Sequence, residues 1–567
     1  MQKICKQCGV DFEITEDDLK FYDKVSPLVK GKKYVMPSPT HCPDCRLMRR
    51  LAFRNEKNLY KRNCDLCGKS GIFVFPENSK FPVYCLDCFW SDKWDPLSFG
   101  RDYDFSSSFF EQFKKLMESV PKMGLYQFNN ENSGFNSFLA YSKNVYMSPG
   151  TYLGEDLVYC RKSQHSKDCL NSMLLDECEL TEGSANSSHC YNCKSTFNCR
   201  NCSDCFYVAD SIGCTNCFMC SGLNKKNYCI KNKEYSREDY EKIIEEKFQE
   251  NRENLMNEFM EFNKTIPKKY QNQLNSEKSS GNFIQNCKNA EMCFDGFNVQ
   301  DSKYVVECED VKDSMDVNMH DKNIQLCYEM SSGGDSNYMS KFSFCTVLSP
   351  ESEYLFSCFH AANCFGCDGI NSKKKNCILN KQYSEAEYES LKAKIIEQMI
   401  NNGRAHGASG VEPEHKEYGE FFPIAISPFA YNETVASDYF PMTKEQVLSK
   451  GWRWKDVDPK EFSKSSFVLP DRIEETKDEV LQHVFSCEEC GKNYKIVSLE
   501  LSLSRKMKIP LSKKCADCRQ KDLSRFKNPK KLFDRNCSNC AEKIVSVYSS
   551  DRPEMVYCEK CYLKEIY

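Results

Sequence analysis

The stretches FRNEKNLYKRNC (53–64) and FKNPKKLFDRNC (526–537) repeat one pattern near the two ends of a chain of 567 residues. Each belongs to a series of four C-x2-C pairs, and VYCLDC (83–88) closes the first series as VYCEKC (556–561) closes the second. The gap between the second and third pairs is 19 positions in both series, and the gap between the third and fourth is 18. Two copies of one module therefore lie at the two ends.

A C-x2-C pair is typical of a zinc knuckle, because two thiolates on a tight turn can ligate one tetrahedral ion with Zn–S bonds of about 2.3 Å. Two knuckles complete a shell, so the eight pairs predict four zinc ions per chain, which are structural because no coordination position stays open. We pair the knuckles sequentially; a crossed pairing stays open, as do ordinary buried thiols or disulfides. The predicted ligands are Cys5, Cys8, Cys42, Cys45, Cys64, Cys67, Cys85, Cys88, Cys487, Cys490, Cys515, Cys518, Cys537, Cys540, Cys558 and Cys561.

The composition predicts a soluble cytoplasmic protein. Mean hydropathy is negative, and no apolar run approaches the ~18 residues of a membrane span. The first residues, MQKICKQCGV, lack the apolar region of a secretory signal. In a chain without such a signal, 37 cysteines indicate metal ligation and reduced thiols rather than a disulfide framework.

Charge is unevenly distributed along the chain. Of the net charge of −4, residues 1–100 carry +4 and residues 485–567 carry +7, which leaves the middle at −15. Basic ends can contact nucleic acid, RNA or a ribonucleoprotein above all, and they can equally bind acidic surfaces, including the middle of this chain.

The segment RLMRRLAFRNEKNLYKR (46–62) predicts a helix that carries basic residues after the second knuckle. Two interpretations stay open: a stripe that contacts phosphates or another partner, and a solvated face whose arginines pair with local carboxylates. The candidate partner-binding residues are Arg46, Arg49, Arg50, Arg54, Lys57 and Arg62, with Arg519, Arg525, Lys527 and Arg535 in the second copy.

The middle of the chain predicts a duplicated β-solenoid. Short apolar segments recur about every 11–15 residues between polar turns, with no helix between them, which is typical of a parallel β-helix. Each series ends alike, in NKKNYCIKNKEYSREDYEKIIEEKF (224–248) and KKKNCILNKQYSEAEYESLKAKII (373–396). Mainly β structure with short helices is the predicted fold class, with a duplicated β-solenoid between two zinc modules.

Cysteines at 199, 202, 205, 214, 217, 220 and 229 form a 15-residue repeat in the first series. A ladder of small apolar side chains inside the solenoid explains them without metal. A further zinc site and an iron–sulfur cluster stay open, although the usual fourth cysteine followed by proline is missing.

The N-terminal segments CKQCGVDFEITEDDLKFYDK (5–24) and PTHCPDCRLMRR (39–50) resemble the probable zinc-ribbon family, which has a treble-clef fold. The C-terminal copy matches more loosely because it lacks the Phe-Tyr pair. DLKFYDK, SDKWDPLSFGRDYDFS, YGEFFPIAISPFAYNET and VYCEKCY make the whole chain similar to uncharacterised zinc-ribbon proteins of candidate-phyla bacteria. The resemblance implies zinc binding and no established activity.

Sequence motifs of common catalytic sites are missing, such as a Walker A loop, H-E-x-x-H or G-x-S-x-G. The favoured function is a zinc-binding scaffold whose basic modules bind a partner; a purely structural or protein-interaction scaffold and a redox protein stay open.

The predicted segments are a double zinc module (1–100), a first solenoid with a leading helix (101–232), a helical arm (233–281), a second solenoid (282–382), a helix with an aromatic and proline-rich connector (383–480), and a second double zinc module (481–567).

Overall fold

Left-handed backbone recurs at every third residue through both series of repeats in the computed structural model. Between Asn198 and Asp210, for example, positions 198, 201, 204, 207 and 210 all have a φ near +50°. Strand partners lie 12 residues apart, as in the pairing of Cys217 with Cys229, and 13 apart in a few turns, such as Met315 with Tyr328. A turn of 12 residues thus has four sides of three residues each. The left-handed residue forms the corner between two sides, and the residue after it points into the solenoid.

The structure describes residues 1–176, 181–182, 185–188, 194–247, 252–319, 322–405, 417–456, 458, 462, 467–524 and 527–566. The chain divides into two compact units. Unit 1 comprises Met1–Leu125 and Gln273–Lys455, and unit 2 comprises Tyr126–Asn272 and Asp456–Tyr567. Unit 1 therefore contains the N-terminal module and the second solenoid, whereas unit 2 contains the first solenoid and the C-terminal module.

The helices are α1 (Glu16–Lys24), α2 (Pro43–Leu51), α3 (Leu86–Phe89), α4 (Phe109–Met117), α5 (Arg237–Lys247), α6 (Arg252–Lys264), α7 (Glu385–Ala405), α8 (Val435–Tyr439), α9 (Lys444–Ser449), α10 (Ser498–Met507), α11 (Ala516–Ser524) and α12 (Glu559–Ile566). The N-terminal module and the segment after it hold β1 (Gln2–Ile4), β2 (Asp11–Glu13), β3 (Leu28–Val29), β4 (Lys32–Lys33), β5 (Tyr60–Asn63), β6 (Ser70–Phe73), β7 (Val83–Tyr84) and β8 (Lys122–Met123).

The first solenoid holds β9 (Gln127–Phe128), β10 (Leu139–Ala140), β11 (Lys143–Tyr146), β12 (Thr151–Tyr152), β13 (Glu155–Val158), β14 (Arg161–Gln164), β15 (Lys167–Leu170), β16 (Met173–Asp176), β17 (Thr181–Glu182), β18 (Ala185–Ser188), β19 (Lys194–Phe197), β20 (Phe206–Ala209), β21 (Thr215–Ser221), β22 (Asn227–Ile230) and β23 (Lys233–Glu234), followed by β24 (Lys268–Lys269).

The second solenoid holds β25 (Gln273–Leu274), β26 (Gly281–Gln285), β27 (Lys288–Glu291), β28 (Cys293–Lys312), β29 (Met315–Asn318), β30 (Ile324–Gln325), β31 (Tyr328–Ser331), β32 (Asn337–Tyr338), β33 (Lys341–Phe344), β34 (Ala361–Ala362), β35 (Lys374–Lys375), β36 (Cys377–Ile378) and β37 (Lys381–Gln382). The C-terminal module holds β38 (Phe485–Ser486), β39 (Asn493–Tyr494), β40 (Phe533–Asn536), β41 (Lys543–Ser546) and β42 (Val556–Tyr557).

The predicted fold class is confirmed: the chain is mainly β with short helices, its solenoid has about 18 turns in all, and cysteine groups lie at both ends. Successive turns pair in parallel, and each described series closes with an antiparallel hairpin, β22–β23 and β36–β37. A helix follows each hairpin.

Serine and cysteine occupy inward positions because both satisfy the same backbone carbonyls. Ser349 Oγ donates to the carbonyl two residues before it and to the one nine residues after it, at 3.0 and 3.4 Å. Cys358 Sγ does the same at 3.3 and 3.4 Å. Since a thiol is a weak donor and an apolar side chain, cysteine fills the narrow interior without leaving an unpaired polar group.

The 15-residue cysteine repeat is not the period of the fold. Cys205, Cys217 and Cys229 lie 12 residues apart, and Cys217 pairs in register with Cys229. The spacing of 15 combines one turn of 12 with one side of three. The seven cysteines between 199 and 229 line the interior and are 1% exposed or less, which fits the ladder interpretation.

Capping boxes begin two of the helices, at Ser108 with Glu111 for α4 and at Thr443 with Gln446 for α9. The glycine-rich stretch GRAHGASGVEPEH (403–415), whose composition predicts a loop, falls largely on 406–415, outside the described residues. Within the described part of the chain, no helix is both long and apolar enough to cross a membrane.

Candidate metal centres

Four groups of four cysteines bring their sulfur atoms together, with all Sγ atoms of a group within 4.8 Å of one another. The groups are Cys5, Cys8, Cys42 and Cys45; Cys64, Cys67, Cys85 and Cys88; Cys487, Cys490, Cys515 and Cys518; and Cys537, Cys540, Cys558 and Cys561. This is the sequential pairing of knuckles. Among the described residues, no other set of three or more such ligand atoms gathers this closely.

The first knuckle of each group is held by a turn in which a left-handed residue follows the second cysteine. Gly9 has a φ of +74° and its N–H donates to the carbonyl of Cys5 at 2.9 Å. Gly68 and Gly491 repeat this turn, and Ala541 adopts it at +60°. The turn directs both thiols of the pair to one side, which is what one metal ion requires.

The second knuckle of each group lies at the start of a helix, because α2, α3, α11 and α12 begin directly after Cys42, Cys85, Cys515 and Cys558. A helix N-terminus presents unpaired N–H groups and a partial positive charge, which stabilise thiolates. The N–H groups and the partial positive charge therefore stabilise the deprotonated form of these cysteines, which is the form that binds a metal ion.

Backbone N–H groups lower the pKa of the leading cysteine in three of the groups, namely Cys64, Cys487 and Cys537. Burial alone would raise the pKa of Cys64, but N–H groups from Cys67, Cys85 and Leu66 bring it to about 7. The same opposition between burial and backbone donors gives a pKa of about 7 for Cys487 and about 6 for Cys537. One thiol in each of these three groups therefore loses its proton near neutral pH.

The cysteine groups fit a tetrahedral ion. Tetrahedral geometry with bonds of about 2.3 Å requires sulfurs about 3.8 Å apart. The distance between Sγ atoms is 3.7 Å for Cys8 and Cys42, and 3.9 Å for Cys67 and Cys85. In the C-terminal module it is 3.7 Å for Cys490 and Cys515, and again for Cys540 and Cys558. A shell of four thiolates favours zinc or iron among biological metals.

The predicted helix over 46–62 is wrong beyond Leu51, where α2 ends; residues 60–63 form β5 instead. Arg46 and Arg50 are 1% exposed and do not form an accessible stripe. Arg46 Nε pairs with Asp316 at 2.8 Å, and Arg50 pairs with Glu329 at 2.9 Å, both on the second solenoid. The acidic surface that these arginines bind is that of the chain itself.

The other predicted residues of the N-terminal module also have partners within unit 1. Arg49 is buried and pairs with Glu420, and Arg54 pairs with Glu56 at 2.6 Å. These contacts correct the expectation that both arginines face a partner. Arg62 is buried as well and pairs with Asp65 at 2.7 Å. Lys57 keeps partial exposure and pairs with Asp438 at 2.7 Å.

Arg519 of the C-terminal module is also buried, at 6% exposed. Its NH1 pairs with Glu500 of α10 at 2.9 Å and donates to Asn171 Oδ1 of the first solenoid at 3.0 Å. Arg535 is half-buried and donates to three backbone carbonyls of its own module. Lys527 is half-buried. Arg525 lies outside the described residues.

Sequence reasoning missed two buried lysines that hold the modules on the solenoids. Lys122 follows Pro121, precedes the first solenoid, and pairs in unit 1 with Asp368, both ends being 1% exposed or less. Lys268 follows Pro267, precedes the second solenoid, and pairs in unit 2 with Asp210 at 2.9 Å. Their strands, β8 and β24, pair with β7 and β42 of the two terminal modules. The repeated Pro-Lys dipeptide was the available signal.

Comparisons with known proteins add little. No family model and no curated protein match the chain. A solved structure described as a "putative acetyltransferase from Desulfovibrio desulfuricans G20" is 10% identical and aligns over 51% of this chain and 82% of its own, with a TM-score of 0.09. A score this low carries no argument about fold or activity.

Proposed function

We propose that the chain is a zinc-dependent scaffold, in which four zinc ions hold two small modules in the shape that binds them to the solenoids. Cys5, Cys8, Cys42 and Cys45 hold one ion, and the other three groups hold one each. Zinc supplies a closed tetrahedral shell of structural type. The ions need no open position, because the proposed role is folding.

One observation carries the proposal: in both modules the last cysteine of the first group is followed directly by a buried arginine. Cys45 precedes Arg46, and Cys518 precedes Arg519. Each arginine lies against a tyrosine ring of a solenoid, Arg46 at 5.2 Å from Tyr304 and Arg519 at 4.2 Å from Tyr159. The residue that binds the metal therefore sets the position of the residue that binds the solenoid.

The energetic consequence is a coupling between metal and fold. Modules of this size contain too small an apolar core to fold firmly alone, so metal binding supplies folding free energy. Loss of the ion frees the first turn of α2 and withdraws Arg46 and Arg50 from Asp316. A buried carboxylate that loses its partner costs about 3–5 kcal/mol.

Nucleic acid stays a prediction as a partner. Arg46, Arg49, Arg50 and Arg519 are buried against groups of the same chain, so phosphate contacts would depend on the more exposed lysines. A purely structural or protein-interaction scaffold has the stronger support, because it uses the buried arginines as the structure has them.

Elemental analysis of protein purified without added metal tests the proposal. We expect about four zinc per chain and no visible absorbance. Cys45→Ser should lower the content by one ion and increase hydrogen exchange in α2. Cys358→Ser is the matched control, because serine makes the same interior hydrogen bonds at Ser349; it should keep four ions.

Iron with broad visible absorbance would contradict zinc and favour the redox alternative. Full metal content with unchanged exchange in α2 of Cys45→Ser would contradict the coupling of metal to docking.

A further inference from the structure

We propose that residues 527–533 of the C-terminal module bind an acidic and aromatic peptide segment of a partner protein, an inference that rests on the scaffold function above. We call these residues the C-terminal edge. The equivalent residues 54–60 are the N-terminal edge, and residues 417–455 of unit 1 are the strap. The N-terminal edge already binds such a segment, namely the strap.

The strap binds the N-terminal edge through main chain and carboxylates. Val435 N–H donates to the carbonyl of Arg54 at 2.9 Å, and Asn58 Nδ2 donates to the carbonyl of Glu433 at 2.8 Å. The carboxylate of Glu433 accepts from the hydroxyl of Tyr60. Lys57 pairs with Asp438 at 2.7 Å. These partners are backbone groups immediately before and at the start of α8, together with two acidic side chains.

The C-terminal edge repeats the surface that the strap covers. Lys530 lies seven positions before the first cysteine of the third knuckle, as Lys57 does, and Phe533 lies four before it, as Tyr60 does. Lys531 adds a further positive charge, and its Nζ lies 5.7 Å from the centre of the Phe533 ring. Cations and an aromatic ring are thus retained.

Burial differs sharply between the two edges. Arg54, Asn55 and Glu56 are all 5% exposed or less beneath the strap. At the equivalent positions, residues 527 and 528 are half-buried and Pro529 is exposed.

The described residues between the strap and the cysteines of the C-terminal module pack against α10. Leu469, Ile473 and Val480 pack with Leu501 of α10. The part of unit 2 that the structure describes therefore places no counterpart of the strap on this edge.

Charge and hydrogen bonding favour a peptide as the occupant. Lys527, Lys530 and Lys531 make the edge basic, which complements carboxylates at the positions of Glu433 and Asp438. The N-terminal edge is bound by peptide N–H and C=O groups together with carboxylates of the strap. A peptide with acidic and aromatic side chains is therefore the fitting partner class.

The probe is a fluorescein-labelled peptide of residues 421–440, FFPIAISPFAYNETVASDYF, titrated into the full-length metal-loaded chain and followed by anisotropy. We expect saturable binding that Lys530→Glu with Lys531→Glu weakens about tenfold or more, which corresponds to about 1.4 kcal/mol. Lys560→Glu with Lys564→Glu, two exposed lysines on α12, is the matched control and should bind within about twofold of the parent.

A charge exchange tests the contact itself. A peptide with Asp438→Lys should bind the parent weakly and regain affinity for the Lys530→Glu, Lys531→Glu chain. Three outcomes would overturn the inference: no saturable binding; binding that Lys57→Glu abolishes and Lys530→Glu leaves intact, which means displacement of the strap; and binding of a 12-residue oligouridylate at the edge in place of the peptide.

Metal content is measured on the same samples. Four zinc ions without peptide binding would reject only the docking surface, and a metal-free folded chain would reject the scaffold proposal.

Discussion

The two cysteine-rich modules use equivalent residues to bind their solenoids, but the charged residues pair differently in the two units. In unit 1, Asp18 pairs with Lys303 at 2.9 Å and Arg46 pairs with Asp316, so both charges of the module find partners on the solenoid. In unit 2, the equivalent residues Glu500 and Arg519 pair with each other. The solenoid there offers Arg519 neutral groups.

An arginine directly after the last cysteine of the first group can therefore serve two kinds of interface. In unit 1 the ion pairs join the module to the solenoid, so separating the two leaves buried charges without partners. In unit 2 the ion pair lies within the module, so separation leaves its charges paired. We therefore expect the N-terminal module to depend more strongly on its solenoid than the C-terminal module does.

The largest loss of stability should come from removing the solenoid side chain that binds the arginine in each unit. Asp316→Ala leaves Arg46 without its carboxylate, and we expect a loss of about 3–5 kcal/mol in the free energy of opening. Asn171→Ala removes one hydrogen bond to Arg519 and should cost about 1 kcal/mol. Peptide-resolved hydrogen exchange in α2 and α11 measures the two losses separately. Equal losses would contradict the comparison.

The buried lysines give the next effect. Lys122→Met leaves Asp368, which is fully buried, without its cation, and should destabilise the β7–β8 contact by about 3 kcal/mol. Lys268→Met should cost less, about 1–2 kcal/mol, because Asp210 is 16% exposed and reaches water. The measurement is hydrogen exchange at residues 83–88 and 556–561. Adding Asp368→Leu to Lys122→Met should restore part of the loss, since the pair is then replaced by apolar groups.

Much of the cysteine chemistry could be predicted from sequence, because a knuckle is local: Cys5 and Cys8 lie on one turn, and spacing alone identifies them. The repeat of the solenoid is also local, and only its period needed correction to 12. The burial of Arg46 and its pairing with Asp316 were not predictable, because the two residues lie 270 positions apart in the sequence. Composition does not show which carboxylate an arginine of a basic helix will pair with. Burial of charge is a tertiary property, and the acidic middle of the chain was its indirect signal.

A pH-dependent difference should appear in unit 1. Burial raises the pKa of Glu329 to about 7, against the lowering influence of Arg50; Asp316 raises it further, and Arg49 and Arg46 lower it. The folded state then binds this proton more tightly than the unfolded chain, whose glutamate has a pKa near 4.5. The contribution of Glu329 to stability is therefore present below pH 4.5 and is lost as the pH rises to about 7.

Comparison with Glu329→Gln isolates this proton. Between about pH 5.5 and 8, the free energy of opening of α2 in the parent should fall relative to the variant by on the order of 2 kcal/mol. That range keeps the cysteine groups able to bind metal, which requires deprotonated thiols. Exchange in α11 serves as the internal control and should show no difference between parent and variant. A parallel pH profile in α2 would show that Glu329 stays ionised.

The smallest loss of stability should come from an exposed ion pair that occurs at equivalent positions in both units. Lys24 of α1 pairs with Asp313 at 2.8 Å, and Lys506 of α10 pairs with Asp168 at 2.6 Å; each lysine lies 16 positions after the second cysteine of its module. Both lysines are about half exposed, so solvent screens each pair. Lys24→Ala and Lys506→Ala should each cost less than about 1 kcal/mol, and by similar amounts. High salt should shrink both losses together. If the cost at Lys24 clearly exceeded that at Lys506, the difference between the units would not lie in their buried charges, because these exposed contacts are matched in geometry.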